Sequence, residues 1–569
     1  MSHAKRSFGL AAALVVGMLA IVWWRRAAEP RGTTSVWAID DGLRVGSRAG
    51  ALAEAAHNRV WTPDGGIASF GLRGETLALQ IVVSAGALPR REVRLDIEGL
   101  DELEVETFVV TELPLSRRSG GEDPRESLGW SRDSTPAAPP GGLVPDPLLP
   151  ITVAEEVAPV GYGYPLSVPP HEHRVLWLDV TIPEETTPGE HHGRFVVTSE
   201  GAPLSVVPIT LEVGSATLPF QALRTMVYVN PEAVVERMGA AALAPTLQLI
   251  HRHHLTPFLP ITRAEDLDEP VVRAAITGEL YTEAHGYRGP GRGVPADLVV
   301  IGSYGQLHEP EPRRLGQVGR LLERLDRLAP KAQRFLYAVD EQCDSPLGPA
   351  WREALDASPD PRLRALMVGH TCSRPPAEQP VDLVMVFAPS FRLDTARATD
   401  KPVFIYNGAL PRTGTFLSDG PFLSLRANAW IQAHHRIERW FYWESVFWND
   451  DNRGGLGPYD PWATAETFHN ADGDHCNGDG VLLYPGRQHG GRLDLGQARS
   501  FPSLRLAQWR RGIQDAAYLK LVETRSPALA RQISGALVGD AFDAQHTPSF
   551  PLAGDPWYRA RRALFEALR

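Results

Sequence analysis

The run Phe335-Leu-Tyr-Ala-Val-Asp340-Glu341 reads as a buried strand that ends in two adjacent carboxylates. Two carboxyl groups at one strand end can divide proton transfer and charge stabilisation between them. Cleavage of a glycosidic bond needs that division of labour. Asp-Glu steps are also common as solvated surface or helix caps, so the elements around this pair decide its meaning.

Those elements alternate. From residue 218 to 525, short apolar runs are separated by helical stretches. Thr225–Asn230, Pro257–Ile261, Leu298–Gly302, Phe335–Asp340, Leu363–His370, Asp382–Ala388, Pro402–Asn407 and Arg439–Glu444 are the candidate strands. Pro231–His254, Arg313–Leu328 and Phe422–Ile437 are helical stretches between them, and Val481–Tyr484 is a further short run. This pattern predicts a (β/α)8 barrel, whose chemistry gathers at the C-terminal ends of its strands. On such a rim Asn230, Asp340, Glu341, His370, Asn407, Trp443 and Glu444 come together from five strands. Successive strand residues face opposite sides. Asp340 and Glu341 therefore share a pocket only where the chain leaves strand geometry.

Trp440 to Trp448 carries six aromatics in nine residues, more than one core strand needs. Some of them are expected to form a substrate wall, and Tyr337, Tyr406, Tyr442 and Trp448 join the expected substrate-binding residues. The loop Asp472–Asp479 is rich in Asp and Asn, but Cys476 interrupts it and no Glu closes a calcium-loop spacing. It reads as a turn that positions Tyr484-Pro485-Gly486. His191-His192 and His434-His435 have no partners at ligand spacing and are expected on the surface. No metal and no cofactor are predicted.

The first part of the chain has a different period. Leu77, Leu79, Ile81 and Val83 alternate with other residues, as do Val93, Leu95 and Ile97. Pro188-Gly189 marks a turn. Residues 32–217 are expected to form a β-sandwich, interrupted by a long surface loop from Arg117 to Pro150. Residues 526–569 are expected as a helical tail. Lys5 and Arg6 precede an apolar run from Phe8 to Trp24, which reads as a signal anchor over residues 1–31, or else as a cleaved signal peptide. Either reading places the body outside the cytoplasm, with the membrane as a partner in the first.

The chain has 569 residues and a formal charge of −11, which argues against nucleic acid as a partner. Its 14 tryptophans suit both cores and sugar stacking. Cys343, Cys372 and Cys476 form no CxxC pair, and leave room for one disulfide and one free thiol.

Four segments taken in order resemble the catalytic domain of glycoside hydrolase family 123 and its uncharacterised bacterial relatives. They are the strand ending in Asp340-Glu341, RWFYWESVFWND, GDGVLLYPG and PSLRLAQWRRGIQDAAYL. GETLALQIVV and VPDPLLP resemble the sandwich that accompanies that barrel. In that family the carboxylate pair is commonly followed by proline, whereas here Gln342-Cys343 follows. The resemblance implies a retaining β-N-acetylgalactosaminidase in which the substrate's own acetamido oxygen attacks the anomeric carbon. Glu341 would then be the general acid/base, and Asp340 would hold the acetamido N–H. Two alternatives stay open. One is a double displacement using Glu341 and Glu444, and the other is a glycan-binding protein with an inactive barrel.

Overall fold

The computed structural model describes residues 34–120, 142–157, 162–450, 459–469, 475–488 and 490–569. The apolar run expected as a membrane or signal segment lies outside these residues. Among the described residues no helix is long and apolar enough to cross a membrane.

Two sheets form the N-terminal part. One holds β1 (Ser35–Asp40), β4 (Thr76–Ser84), β9 (His173–Thr181), β6 (Glu104–Pro114) and β7 (Leu143–Pro150), in that spatial order. The other orders β2 (Trp61–Thr62), β3 (Gly66–Arg73), β11 (Ala202–Thr217), β10 (Gly189–Ser199), β5 (Arg90–Glu98) and β8 (Leu166–Val168). Pairing is antiparallel throughout except between β3 and β11. The alternation in β4 predicts one wet face, yet Thr76 to Val83 are all buried. The second face is covered by the rest of the chain.

The stretch from Arg117 to Pro150 is not all loop. Leu143–Pro150 is a buried strand whose apolar residues pair with β6, and its prolines sit at the sheet's edge, where a missing N–H costs little. Residues 117–120 reach across to the barrel. The Ser119 N–H donates to Asp419, and Gly120 pairs with His475.

Eight parallel strands follow. They are β12 (Thr225–Tyr228), β13 (Thr256–Phe258), β14 (Leu298–Ile301), β15 (Gln333–Val339), β16 (Met367–Thr371), β17 (Leu383–Phe387), β18 (Val403–Tyr406) and β19 (Trp440–Tyr442). Each pairs with its sequence neighbours except β13 with β14, and β19 returns to β12. Between β13 and β14 the wall narrows to a single bridge, Ile261 to Ile301, so the barrel is nearly closed. Its interior is packed by inward residues such as Met226, Phe258, Phe335, Met385, Phe404 and Phe441.

Two expected boundaries shift. Pro231–His254 is two helices, Pro231–Met238 and Leu243–Arg252, parted at Gly239, whose φ of 89° a helix cannot hold. The strand expected from Leu363 begins at Met367, because Asp360 caps a short helix at Pro361–Ala365. Between β16 and β17 the connection carries only a 3-10 turn at Pro376–Glu378.

The helix Leu504–Arg525 packs against the helix Ser424–His435 and is buried nearly along its whole length. It carries Arg505, Arg510 and Arg511 to carboxylates of the sandwich. Arg505 pairs with Asp146, Arg510 with Asp179 at 2.6 Å, and Arg511 with Glu75 at 2.5 Å and Asp41 at 2.9 Å. The C-terminal helices Pro527–Val538 and Gly554–Leu568 are not a loose tail. Arg561 reaches the same Glu75 at 2.7 Å, and Trp557 packs on Trp430. His434 and His435, expected on the surface, are covered by these helices, and bond to Ser534 and the Val538 carbonyl.

Candidate active site

Asp340 and Glu341 lie just past β15, on the C-terminal rim. The ladder between β15 and β16 slips between Tyr337 and Val339, and Glu341 takes a left-handed φ of 53°. This break in strand geometry lets neighbouring carboxylates serve one pocket. It is costly for a non-glycine residue, so something must hold it.

Thr371, at the end of β16, is that anchor. The Glu341 N–H donates to Thr371 Oγ1 at 2.7 Å, and the Thr371 hydroxyl donates to Asp340 Oδ1 at 2.8 Å. The Tyr337 hydroxyl stands 3.0 Å from the same Oδ1. Asp340 Oδ2 is left open to a ligand. The Tyr406 hydroxyl donates to Glu341 Oε1 at 2.6 Å, and Glu341 is otherwise exposed. Next to both anchors, a disulfide joins Cys343 to Cys372 with Cα atoms 5.2 Å apart, while buried Cys476 stands outside any disulfide. Removing the Thr371 hydroxyl frees both carboxylates by fractions of an ångström. Thr371→Val is therefore expected to lower kcat by about 10²-fold and to cost about 1–3 kcal/mol of stability. A kcat equal to the parent's would show the hydroxyl to be idle.

Tyr304, Tyr337 and Tyr406 stand by the pair, and Tyr228 packs edge-on against Tyr304 at 5.1 Å. Tyr337 and Tyr406 are pushed well above the ordinary phenol range by burial, then by Asp340 and Glu341 respectively. Tyr304 is raised likewise, by burial and then by Glu444, with Asp340 and Glu341 also acting on it. Tyr228 is pushed up to about 12 by burial and Glu444. All four stay hydroxyls at any working pH and act as fixed dipoles beside the carboxylates.

The other expected site residues have different fates. Parity along β16 decides His370: Met367 and Gly369 face inward, so Thr371 does too, and His370 points out of the barrel. It is buried there near Lys401 and lowered to about 4. Asn230 is spent as the N-cap of Pro231–Met238, accepting from Glu232 and Ala233 N–H groups. Asn407 accepts from the Trp443 N–H, and its carbonyl accepts from Trp440 Nε1. Tyr442 faces outward, stacked on Phe416 and bonded to Asp479. Trp448 is buried with its indole on the Leu483 carbonyl. Of the aromatic run, Trp443 alone remains half-exposed at the rim, fixed by Asp479 and by the Tyr304 hydroxyl on its carbonyl. Most of that run is core. Of the Asp472–Asp479 loop, residues 472–474 lie outside the described set, and among the described residues no cluster suits a metal.

Glu444 is 4% exposed and accepts N–H bonds from Ser445 and Val446. Burial outweighs those bonds and pushes its carboxyl up to about 8. A carboxyl raised in the folded state binds a proton that the unfolded chain releases above about 4.5. Its contribution to stability is full below that pH and is lost as pH rises toward 8. Glu444→Gln is therefore expected to flatten the fall in stability between pH 5 and pH 8, relative to the parent, by up to about 1.4 kcal/mol per pH unit, read from melting curves. Identical pH profiles for the two proteins would show Glu444 to be ionised in the fold.

No family model matches the chain, and no curated protein matches it in sequence. Among solved structures it is similar to a family 123 glycoside hydrolase from Clostridium perfringens, described for glycolipid glycan hydrolysis. The TM-score is 0.61 at 10% identity, over 94% of this chain and 98% of that one. A family 39 glycoside hydrolase from Bacteroides cellulosilyticus WH2 matches over 81% of each chain at a TM-score of only 0.30. From sandwich through barrel to the closing helices, the chain has the fold of a family 123 glycoside hydrolase.

Proposed function

We propose that the protein is a glycoside hydrolase that cleaves β-linked N-acetylhexosaminides with retention, using the substrate's acetamido group as nucleophile. The observation that carries this reading is the asymmetric anchoring of Asp340. Oδ1 is held by Thr371 and Tyr337, while Oδ2 has no hydrogen-bond partner among the described residues and is not buried. An oxygen held this way accepts the acetamido N–H, orients its carbonyl toward the anomeric carbon, and stabilises the positive charge that develops. Glu341 in its acid form protonates the leaving oxygen and then, as a carboxylate, draws a proton from water. Tyr406 keeps its carboxyl group aimed. Trp443 offers an aromatic face to the sugar.

A double displacement through Glu444 is the weaker reading. A nucleophile must be ionised, and burial holds Glu444 in its neutral form near pH 7. The disulfide beside the pair fits an oxidising compartment, so we place the protein outside the cytoplasm, as its N-terminal apolar run suggests.

The test is a panel of aryl glycosides: β-GalNAc and β-GlcNAc against β-galactose and β-glucose. Turnover is expected for acetamido sugars only, with Asp340→Asn costing about 10²–10³-fold in kcat. Comparable cleavage of the plain sugars would sink substrate assistance. No cleavage of any, with glycans still bound, would favour a binding protein.

A further inference from the structure

Away from the catalytic rim, a cavity of about 1050 Å³ opens between the sandwich and the flank of the barrel. That is at the upper end for ligand pockets, which run from roughly 300 to 1,000 Å³. β6 and the start of the helix Ile151–Val157 form one side. The helix Leu243–Arg252, the loop around Arg288 and the Arg499–Pro502 segment form the other.

Its charges are unevenly matched. Arg252 pairs with Glu106 at 2.9 Å, Arg292 with Glu104 at 3.4 Å, and Arg510 with Asp179 at 2.6 Å. Arg499 has no such partner. Its guanidinium lies over the Phe501 ring, 5.3 Å from the centroid, and makes no hydrogen bond or ion pair with any described residue. Its Nε is buried and unsatisfied. Burial presses this guanidinium toward neutrality despite the through-space pull of Glu106 and Glu156. A half-buried cation without a counter-ion is expensive unless an anion completes it.

Around it the walls are polar. Thr152 offers a hydroxyl group and Gln248 its amide oxygen, the Gln248 amide nitrogen being bonded to the Leu280 and His285 carbonyls and the Thr181 hydroxyl to Thr76, and the paired carboxylates offer acceptors. The aromatics Phe108, Tyr287 and Phe501 are themselves buried. Such walls suit a ligand rich in hydroxyl groups.

We propose that this cavity is a second binding site, separate from the catalytic rim, for an acidic oligosaccharide whose carboxylate or sulfate seats on Arg499. The planar guanidinium, lying over Phe501, offers its fork to either oxyanion. Hydroxyl groups of the neighbouring sugars would meet the polar walls. The site would hold an acidic chain on the enzyme independently of what the rim cleaves, so it does not rest on the proposed reaction.

Calorimetric titration of the full chain with a sulfated disaccharide, a uronic-acid disaccharide and their neutral parent tests this. One or both acidic sugars are expected to bind, and the neutral one to bind at least about tenfold more weakly. Which acidic sugar binds decides between sulfate and carboxylate. Arg499→Gln is expected to weaken acidic binding by about 10–100-fold. Thr152→Trp, at an exposed position on the cavity wall, is expected to block it, while Asp340→Asn leaves it unchanged. The proposal fails if no acidic sugar binds at millimolar concentration, or if the neutral parent binds equally. It also fails if binding survives both cavity variants, or is lost in Asp340→Asn.

Discussion

Glu341→Gln is expected to lower kcat by about 10²–10⁴-fold on a substrate with a poor leaving group. The amide keeps the shape of the side chain and still accepts from the Tyr406 hydroxyl, which lies 2.6 Å from Oε1. What it loses is the proton. The first step then has no acid for the departing oxygen, and the second has no base for water. The loss should depend on the aglycone, because a nitrophenolate leaves without help and a sugar alkoxide does not. With an activated aryl glycoside the first step survives, so a burst should precede slow turnover. Added azide should restore turnover, since it needs no base. Equal losses for good and poor leaving groups, with no rescue, would assign Glu341 to binding instead of proton transfer. A companion Tyr406→Phe variant should shift kcat less than Glu341→Gln does.

The second large effect concerns stability. Glu75 has no exposed surface, and its carboxylate accepts from Arg511 at 2.5 Å, Arg561 at 2.7 Å, Tyr518 at 2.6 Å and the Leu72 N–H at 2.8 Å. Burial raises this carboxyl, but Arg561 and Arg511 outweigh it and hold it below the ordinary carboxylate range. Its stabilising share is therefore present above pH 4.5 and is lost as the protein is acidified. Removing the carboxylate leaves buried Arg561 with only Asp515 at 3.7 Å, and Arg511 with Asp41 at 2.9 Å and Asp515 at 3.9 Å. Glu75→Ala is expected to cost about 3–5 kcal/mol, read from the urea midpoint. The cost comes mainly from the under-compensated cations, Arg561 above all. Glu75→Leu combined with Arg511→Met and Arg561→Met should thus recover most of it. A single variant as stable as the parent would mean that water reaches the cluster.

The two halves of the site were unequally visible in the sequence. The carboxylate pair was legible because an apolar run of strand length led straight into it, and the eight strands because each run is short and apolar between helical stretches. The polar residues closing other strands misled. Asn230 closes a strand because the next helix needs a cap, and Asn407 because the neighbouring backbone needs an acceptor. His370 drew the eye by its chemistry, yet inward Met367 and Gly369 assign the pocket to its neighbour Thr371. Counting parity from Gly369 would have found it. Tyr304 gave no such signal. It sits past β14 in a left-handed turn, φ 48°, and is brought to the cleft only by barrel closure. The aromatic run around Trp443 looked like a wall because composition does not reveal how much of a strand's outer face a covering helix will bury.

The helix Leu504–Arg525 closes the barrel's wheel of helices and is also the floor on which the sandwich rests. One element thus belongs to two folding units at once. A gene fragment that encoded only the barrel would carry Arg505, Arg510 and Arg511 with no acids to meet them, and one that encoded only the sandwich would carry the acids bare. Either half expressed alone is therefore expected to be far less stable than the whole chain.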